Sequence, residues 1–349
     1  MSTHLTIPGL KRLQLGRFTW LVRPRDLLVM MLLLAAVLLL AMVGIASGSL
    51  AIALREVMAM PGQPPASSSA AWVVWELRLP RVLLALLAGG LLGMAGAAMQ
   101  SVTRNGLADP GLLGVKEGAC VVVLELILNF PAMNIVWRPL AGIGGGLAVA
   151  LLVVLIARDV SRPRVVLIGI GFSWLLAAGL GVFITTADIR DVQTALLWMA
   201  GSLQGATWPL LSVALCWMAP GIVLLACTAR AANVALLGHQ TATGLGVNLR
   251  RQTLMQFVAP VLLTSTVVSC TGSLGFVGLI APHMARMLVR GGQASLLWCS
   301  TLLGGLLVLG ADSIGRLAFA PLQIPAGIVI AVTGGPFFLF LLWQRREQL

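Results

Sequence analysis

The chain has 349 residues, of which 59% are hydrophobic and only 10% charged, with a formal net charge of +12 and a mean hydropathy of +0.99. A soluble globular domain carries about 25% charge, so this composition excludes one. The basic residues are scattered between apolar runs rather than interleaved with aromatics on one surface, which argues against a nucleic-acid partner.

In chain order, residues 1–25 form a basic lead. The first apolar span, Leu27 to Ser47, follows it. A signal peptide is the rival reading, weakened because no small-residue cleavage site precedes a soluble domain. Further spans read at Ala71 to Ser101, Leu112 to Phe130, Pro139 to Ala157, Val165 to Thr185, Leu210 to Ala229, Met255 to Thr271, Leu279 to Val289, Ser295 to Phe319 and Ile324 to Trp343. That is about ten transmembrane helices in an all-α membrane protein, most of them long enough for a ~30 Å hydrocarbon core. With both ends placed inside, sixteen of the 23 lysines and arginines fall on the inner side and six outside, with Lys116 left in the membrane. This asymmetry predicts cytoplasmic termini.

The second span opens on Arg78-Leu79-Pro80-Arg81 and continues as a small-residue helix. Gly89, Gly93, Gly96 and Ala97 leave one face nearly free of side chains, so another backbone can approach; helix packing and a channel wall are both compatible with it. A polar reversal follows, in which Asn105-Gly106 and Asp109-Pro110 supply turn chemistry. Lys116 and Glu117 come next. If the helix starts near Gly111, Lys116 lies about 7 Å along it, at roughly 1.5 Å per residue. Charges inside a bilayer cost roughly 2.5 to 3.5 kcal/mol each on insertion scales, so they face a cavity or a partner. Lining a path for polar cargo is one reading of Lys116 and Glu117; snorkelling or a local ion pair is the other.

Leu237 to Arg251, LGHQTATGLGVNLRR, is a polar interruption between two long apolar segments. Gly238, Gly244 and Gly246 permit sharp turns, and the stretch between the first two suits a helical turn or two. The segment sits outside the bilayer, with the shape of a docking surface.

No phosphate loop of the form G-x-x-x-x-G-K-[ST] and no H-E-x-x-H occurs, so the chain is not expected to bind nucleotide itself or to act as an enzyme. His4, His239 and His283 lie far apart, without an acidic cluster, and no metal or cofactor is expected. The five cysteines stand singly in apolar spans, as core packing.

Four segments together resemble the FecCD-type permeases, the transmembrane subunits of ABC importers for iron-siderophores, haem and cobalamin. Leu237, Gly238, Ala242, Leu245, Gly246 and Val247 match the family's coupling loop L-G-E-x-x-A-x-x-L-G-V, with His239 where an acidic residue is usual. Arg78 to Gly114 resembles R-L-P-R followed by R-N-P-L-A-D-P-G-L-L-G, with Gly106 in place of proline. Gly275 to Arg286 (GFVGLIAPHMAR) and Ala311 to Phe338 complete the set, the latter with Gln323 where glutamate is common.

The resemblance implies a type II ABC importer permease fold, with residues 26–349 forming the polytopic domain and 230–251 its cytoplasmic coupling loop. Two ATP-binding cassette ATPases would dock on that loop. A second permease subunit, identical or paralogous, would complete the path, and a periplasmic or lipid-anchored substrate-binding protein would deliver ferric siderophore, haem or cobalamin to the bacterial inner membrane. Arg78, Arg81 and Arg316 would meet acidic residues of the binding protein, although each could instead be an interface-snorkelling arginine. Asn105 and Leu107, with Ser161 and Arg162, would form the inner gate. A proton- or sodium-driven secondary transporter, with Glu117 or Glu125 as its coupling site, explains the spans but not the four ordered motifs.

Overall fold

The structure is a computed structural model that describes residues 11–15, 18–48, 52, 55–56, 68–134, 137–158 and 164–344. The membrane-embedded body is all-helical. Ahead of it lies a hairpin of β1 (Lys11–Leu15) and β2 (Phe18–Val22), paired antiparallel with Lys11 opposite Val22. The basic composition of the lead carried no sign of these strands.

α1 (Pro24–Ala46) starts at Pro24, whose missing N–H costs nothing in the first turn, with Asp26 favourably placed near the positive end of the helix dipole. α2 runs unbroken from Ser69 to Thr103. Ser68 caps it, its hydroxyl accepting from the Ala71 N–H at 3.1 Å. Pro80 falls inside this helix and cannot donate to the carbonyl four residues back. The chain absorbs it with a π-helical turn over Val73–Arg78, in which the Leu79 N–H reaches back to the Val74 carbonyl. α3 (Val115–Asn129), α4 (Trp137–Ala157) and α5 (Arg164–Thr186) follow. The short amphipathic α6 (Ile189–Met199) comes next. Then come α7 (Trp208–Ala235), α8 (His239–Gly244), α9 (Leu249–Thr271), α10 (Val277–Leu288), α11 (Gln293–Leu317) and α12 (Ala326–Gln344).

Ten of these helices coincide with the ten apolar spans read from the sequence, and seven described helices are long and apolar enough to cross a membrane. Only α6 and α8 have no span behind them. α6 is too short and too polar to register as one.

α2 is the interior helix, 83% of its most apolar stretch being buried, against 11% for α1 and 17% for α5. It packs most extensively on α11, with α9 and α10 on its other sides. The small-residue face makes this possible. A Cβ on Gly89 would strike the Gly304 carbonyl, one on Gly93 the Ser300 carbonyl, and one on Gly96 the Gly278 carbonyl. In lipid the tails are as apolar as the side chains, so such close packing, rather than hydrophobic burial, holds helices together. α4 meets α9 in the same way, with Gly142 and Gly146 pressed onto Ser269 and Ser265. The large exposed side chains of α1, among them Met31, Leu32 and Leu39 at 60 to 67% exposure, suit a lipid-facing helix.

Candidate functional site: a loop at one end, arginines at the other

The 237–251 segment is built around two positive-φ glycines. α7 ends at Ala235, the chain turns at Gly238 with φ 104, runs through α8, and turns again at Gly246 with φ 80. Both conformations lie in the left-handed half of backbone space, which glycine enters without a Cβ clash. The Val247 N–H donates to the Ala242 carbonyl at 3.0 Å, closing the second turn. Asn248 then starts α9, its side-chain oxygen accepting from the Arg251 N–H at 3.0 Å. Ala242 is fully buried, whereas Leu237 and Leu245 are each 63% exposed. A rigid turn thus anchors itself by one small residue and presents two bare leucines. A shallow hollow of about 390 Å³ is lined in part by Gly246 and Val247. The side chain of His239 lies outside the described set.

At the opposite end, Arg78, Arg81 and Arg316 gather where α1 ends. Arg78 donates to the Ile45 and Ala46 carbonyls at 2.7 and 2.9 Å, and Arg316 to the Gly44 carbonyl at 2.6 Å. Three successive carbonyls at the negative end of the α1 dipole are therefore capped by guanidiniums. Arg78 is itself 5% exposed and caps the end of α1 from within the protein. Arg81 grips Asp312 through Nε and Nη2, the shortest contact being 2.8 Å, and donates through Nη1 to Gln323 Oε1 at 3.0 Å. Gln204 Nε2 donates to the same oxygen at 3.2 Å. Asp312 and Gln323 were visible in the motif of residues 311–338, but nothing in the sequence marked them as Arg81's partners.

The α2–α3 connection holds the remaining residues. Asn105 Oδ1 accepts from the Leu107 N–H at 2.9 Å, an Asx-turn that leaves Leu107 37% exposed. Ser161 and Arg162 lie outside the described residues. Lys116 Nζ stands 3.4 Å from Glu117 Oε1, and Ser173 of α5 donates to Glu117 Oε2 at 3.3 Å. The two charges thus answer one another within α3 and are held to α5 by a hydroxyl that sequence reasoning had not singled out. Asp109, in the connection itself, has its carboxyl pushed up to about 6 by desolvation, with the Lys116 ammonium pulling the other way. Among the described residues, no three His, Cys, Asp or Glu side chains come together as metal ligands.

Residues 32–344 match the FecCD transport family. The chain is 35% identical over 327 residues to the iron-uptake system permease protein FeuC of Bacillus subtilis (strain 168), covering 90% of this chain and 97% of that protein. It is 34% identical over 334 residues to the hemin transport system permease protein HmuU of Yersinia pestis, covering 94% and 98%. Among solved structures it resembles a protein described as a metal-chelate type ABC transporter in an inward-facing conformation. That match has a TM-score of 0.78 at 27% identity and covers 90% of this chain and 99% of the other.

Proposed function

The chain belongs to the FecCD transport family, and from that membership we propose that it is the transmembrane subunit of a binding-protein-dependent ABC importer carrying ferric siderophore across a bacterial inner membrane. The observation that carries the reading is the 237–251 turn, with two leucines exposed over a buried alanine and both bends fixed by glycine. Such a surface suits a partner that must transmit a push. α7 and α9 continue directly from it and pack on one another, so force applied at α8 passes into the body of the bundle.

Two ATPase subunits docked on this turn, one per permease copy, would supply the free energy. The chain itself would bind no nucleotide. Asn105, Leu107, Ser161 and Arg162 would close the path on the cytoplasmic side, while Lys116 and Glu117 would line it. Arg81 and Arg316 would face the binding protein at the outer mouth, where a guanidinium contributes orientation and association rate more than affinity. Arg78 would act there by fixing the end of α1. Both termini would be cytoplasmic, as the positive-charge asymmetry favours.

Haem is the second reading, resting on the similarity to the hemin permease. Uptake of radiolabelled ferric siderophore in cells lacking the chain, with and without its restoration, tests the first. Restored uptake supports it; normal siderophore uptake without the chain, together with lost growth on haem iron, selects the second. Failure of the chain to co-purify with any ATP-binding cassette subunit would sink both.

A further inference from the structure

A cavity of about 1120 Å³ opens among the ends of α2, α4 and α7 and the starts of α5 and α9. Four arginines line it: Arg104, Arg158, Arg164 and Arg250. Among the described lining residues there is no acidic side chain to balance them. The preference for positive charge on one side of a membrane explains arginines at these helix ends. Arg104 also donates through Nη2 to the Ala235 carbonyl at the end of α7 at 3.3 Å, but neither this nor the charge preference explains why all four ends bring arginines to one space.

Two further observations point to a ligand. Arg104 and Arg158 each end a helix in the left-handed conformation, with φ 50 and φ 63. That position is ordinarily taken by glycine or asparagine, because a Cβ there is strained. Both arginines therefore hold an unfavourable backbone conformation at the cavity rim, and such strain concentrates at functional sites. Gln256 also lines the cavity. It is 4% exposed, and its Nε2 has no hydrogen-bond partner. A buried amide donor without an acceptor is costly unless something supplies one.

We propose that this cavity is a binding site for a multiply charged anion whose charge sits on carboxylate or phosphate oxygens. Guanidiniums offer such oxygens paired, planar donors, and the Gln256 amide, buried just behind the wall, has no acceptor of its own. The volume lies just above the usual range of about 300 to 1,000 Å³ for small-molecule sites. The oxygens could come from a soluble anionic metal chelate or from the headgroup of an anionic phospholipid, for which basic pockets between membrane helices are suited. A soluble metal chelate at this site would rest on the importer reading, whereas a lipid headgroup there does not require it.

The test places the full-length chain in nanodiscs of neutral phosphatidylcholine and titrates ferric dicitrate and, separately, inorganic pyrophosphate. The expected result is saturable binding that weakens with salt and falls about tenfold with Arg104→Gln or Arg250→Gln, the loss of one charge-assisted hydrogen bond. Arg158→Lys keeps the charge and loses the fork, so it separates a folding defect from a binding one by retaining the salt dependence at reduced affinity. Gln256→Leu is expected to weaken binding without changing its salt dependence. A second arm adds phosphatidylglycerol to the discs. Competition there assigns the ligand to the leaflet and its absence to the soluble phase, and both outcomes support the site. No saturable binding, or binding indifferent to the arginine substitutions in folded protein, overturns it. Loss of ATPase co-purification in the same variants, with no anion bound by the wild type, also overturns it and assigns the cavity to an acidic partner surface.

Discussion

Gly89 of α2 and Gly304 of α11 each fill the space where the other's side chain would be: a Cβ on either runs into the other's carbonyl oxygen. Neither helix can retreat without opening the seam along which α2 is buried. Gly89→Val and Gly304→Val are therefore expected to destabilise the folded protein by roughly 3 kcal/mol or more, at the upper end of overpacking costs. Gly179→Ala on α5, where nothing lies within reach of the new methyl, is expected to be neutral or slightly stabilising. Fluorescence-detected size exclusion after graded heating in detergent measures both. Equal melting of the valine variants and the wild type would refute the packing account.

The Arg81–Asp312 pair sits where a binding protein is proposed to dock, so a structural role must be separated from a docking role. Asp312 is 2% exposed. Arg81→Ala leaves that carboxylate without its guanidinium, and the expected loss of stability is on the order of 3 kcal/mol. Replacing both residues with leucine is expected to recover part of it, because the Asp312 carboxylate is no longer left buried without Arg81, although the neighbouring Arg316 guanidinium loses the same carboxylate. If the double variant is stable and folded but uptake stays low, Arg81 contributes to docking as well. Full uptake in the stable double variant would confine Arg81 to structure.

Gly246 stands at φ 80 with open space where a side chain would go. Gly246→Val meets no neighbour and is opposed only by backbone strain, about 1 to 2 kcal/mol for a residue forced into the left-handed region. The turn is expected to reshape locally while the bundle stays folded. The readout is the ratio of ATPase to permease recovered on an affinity column, which should fall several-fold with little change in melting temperature. An unchanged ratio would remove the 237–251 turn from the proposed interface.

Lys116 and Glu117 already satisfy one another, so the stability cost of removing both is expected to be small. Substitution of both with serine removes the pair together, taking away the Glu117 charge that opposes Asp109 along with the Lys116 ammonium that offsets it, and retains hydroxyls near Ser173. Transport is expected to slow while protein level and melting temperature hold. Unchanged uptake at normal protein level would reduce the pair to a local ion pair without a place on the path.

The ten spans were legible in the sequence, as were the glycine turns and short helix of the 237–251 loop. Hydropathy and turn chemistry are local properties, carried by the residues of each segment alone. The glycine face of α2 was legible as a close-approach surface for the same reason, though its partner was not. The β1–β2 hairpin and α6 escaped notice, since neither carries an apolar run long enough to stand out from its surroundings.

The arginines divide the two kinds of knowledge most sharply. By itself the sequence determined that Arg78, Arg81 and Arg316 lie near one end of the helices and that Arg104, Arg158, Arg164 and Arg250 lie near the other. The tertiary structure alone decided that Arg78 and Arg316 close the end of α1, that Arg81 is gripped by Asp312, 231 residues further on, and that the other four surround one cavity. A long, flexible cationic side chain takes its role from whatever carbonyl, carboxylate or empty space the packing brings within its reach, and helix packing joins residues too far apart in the chain for any local pattern to encode.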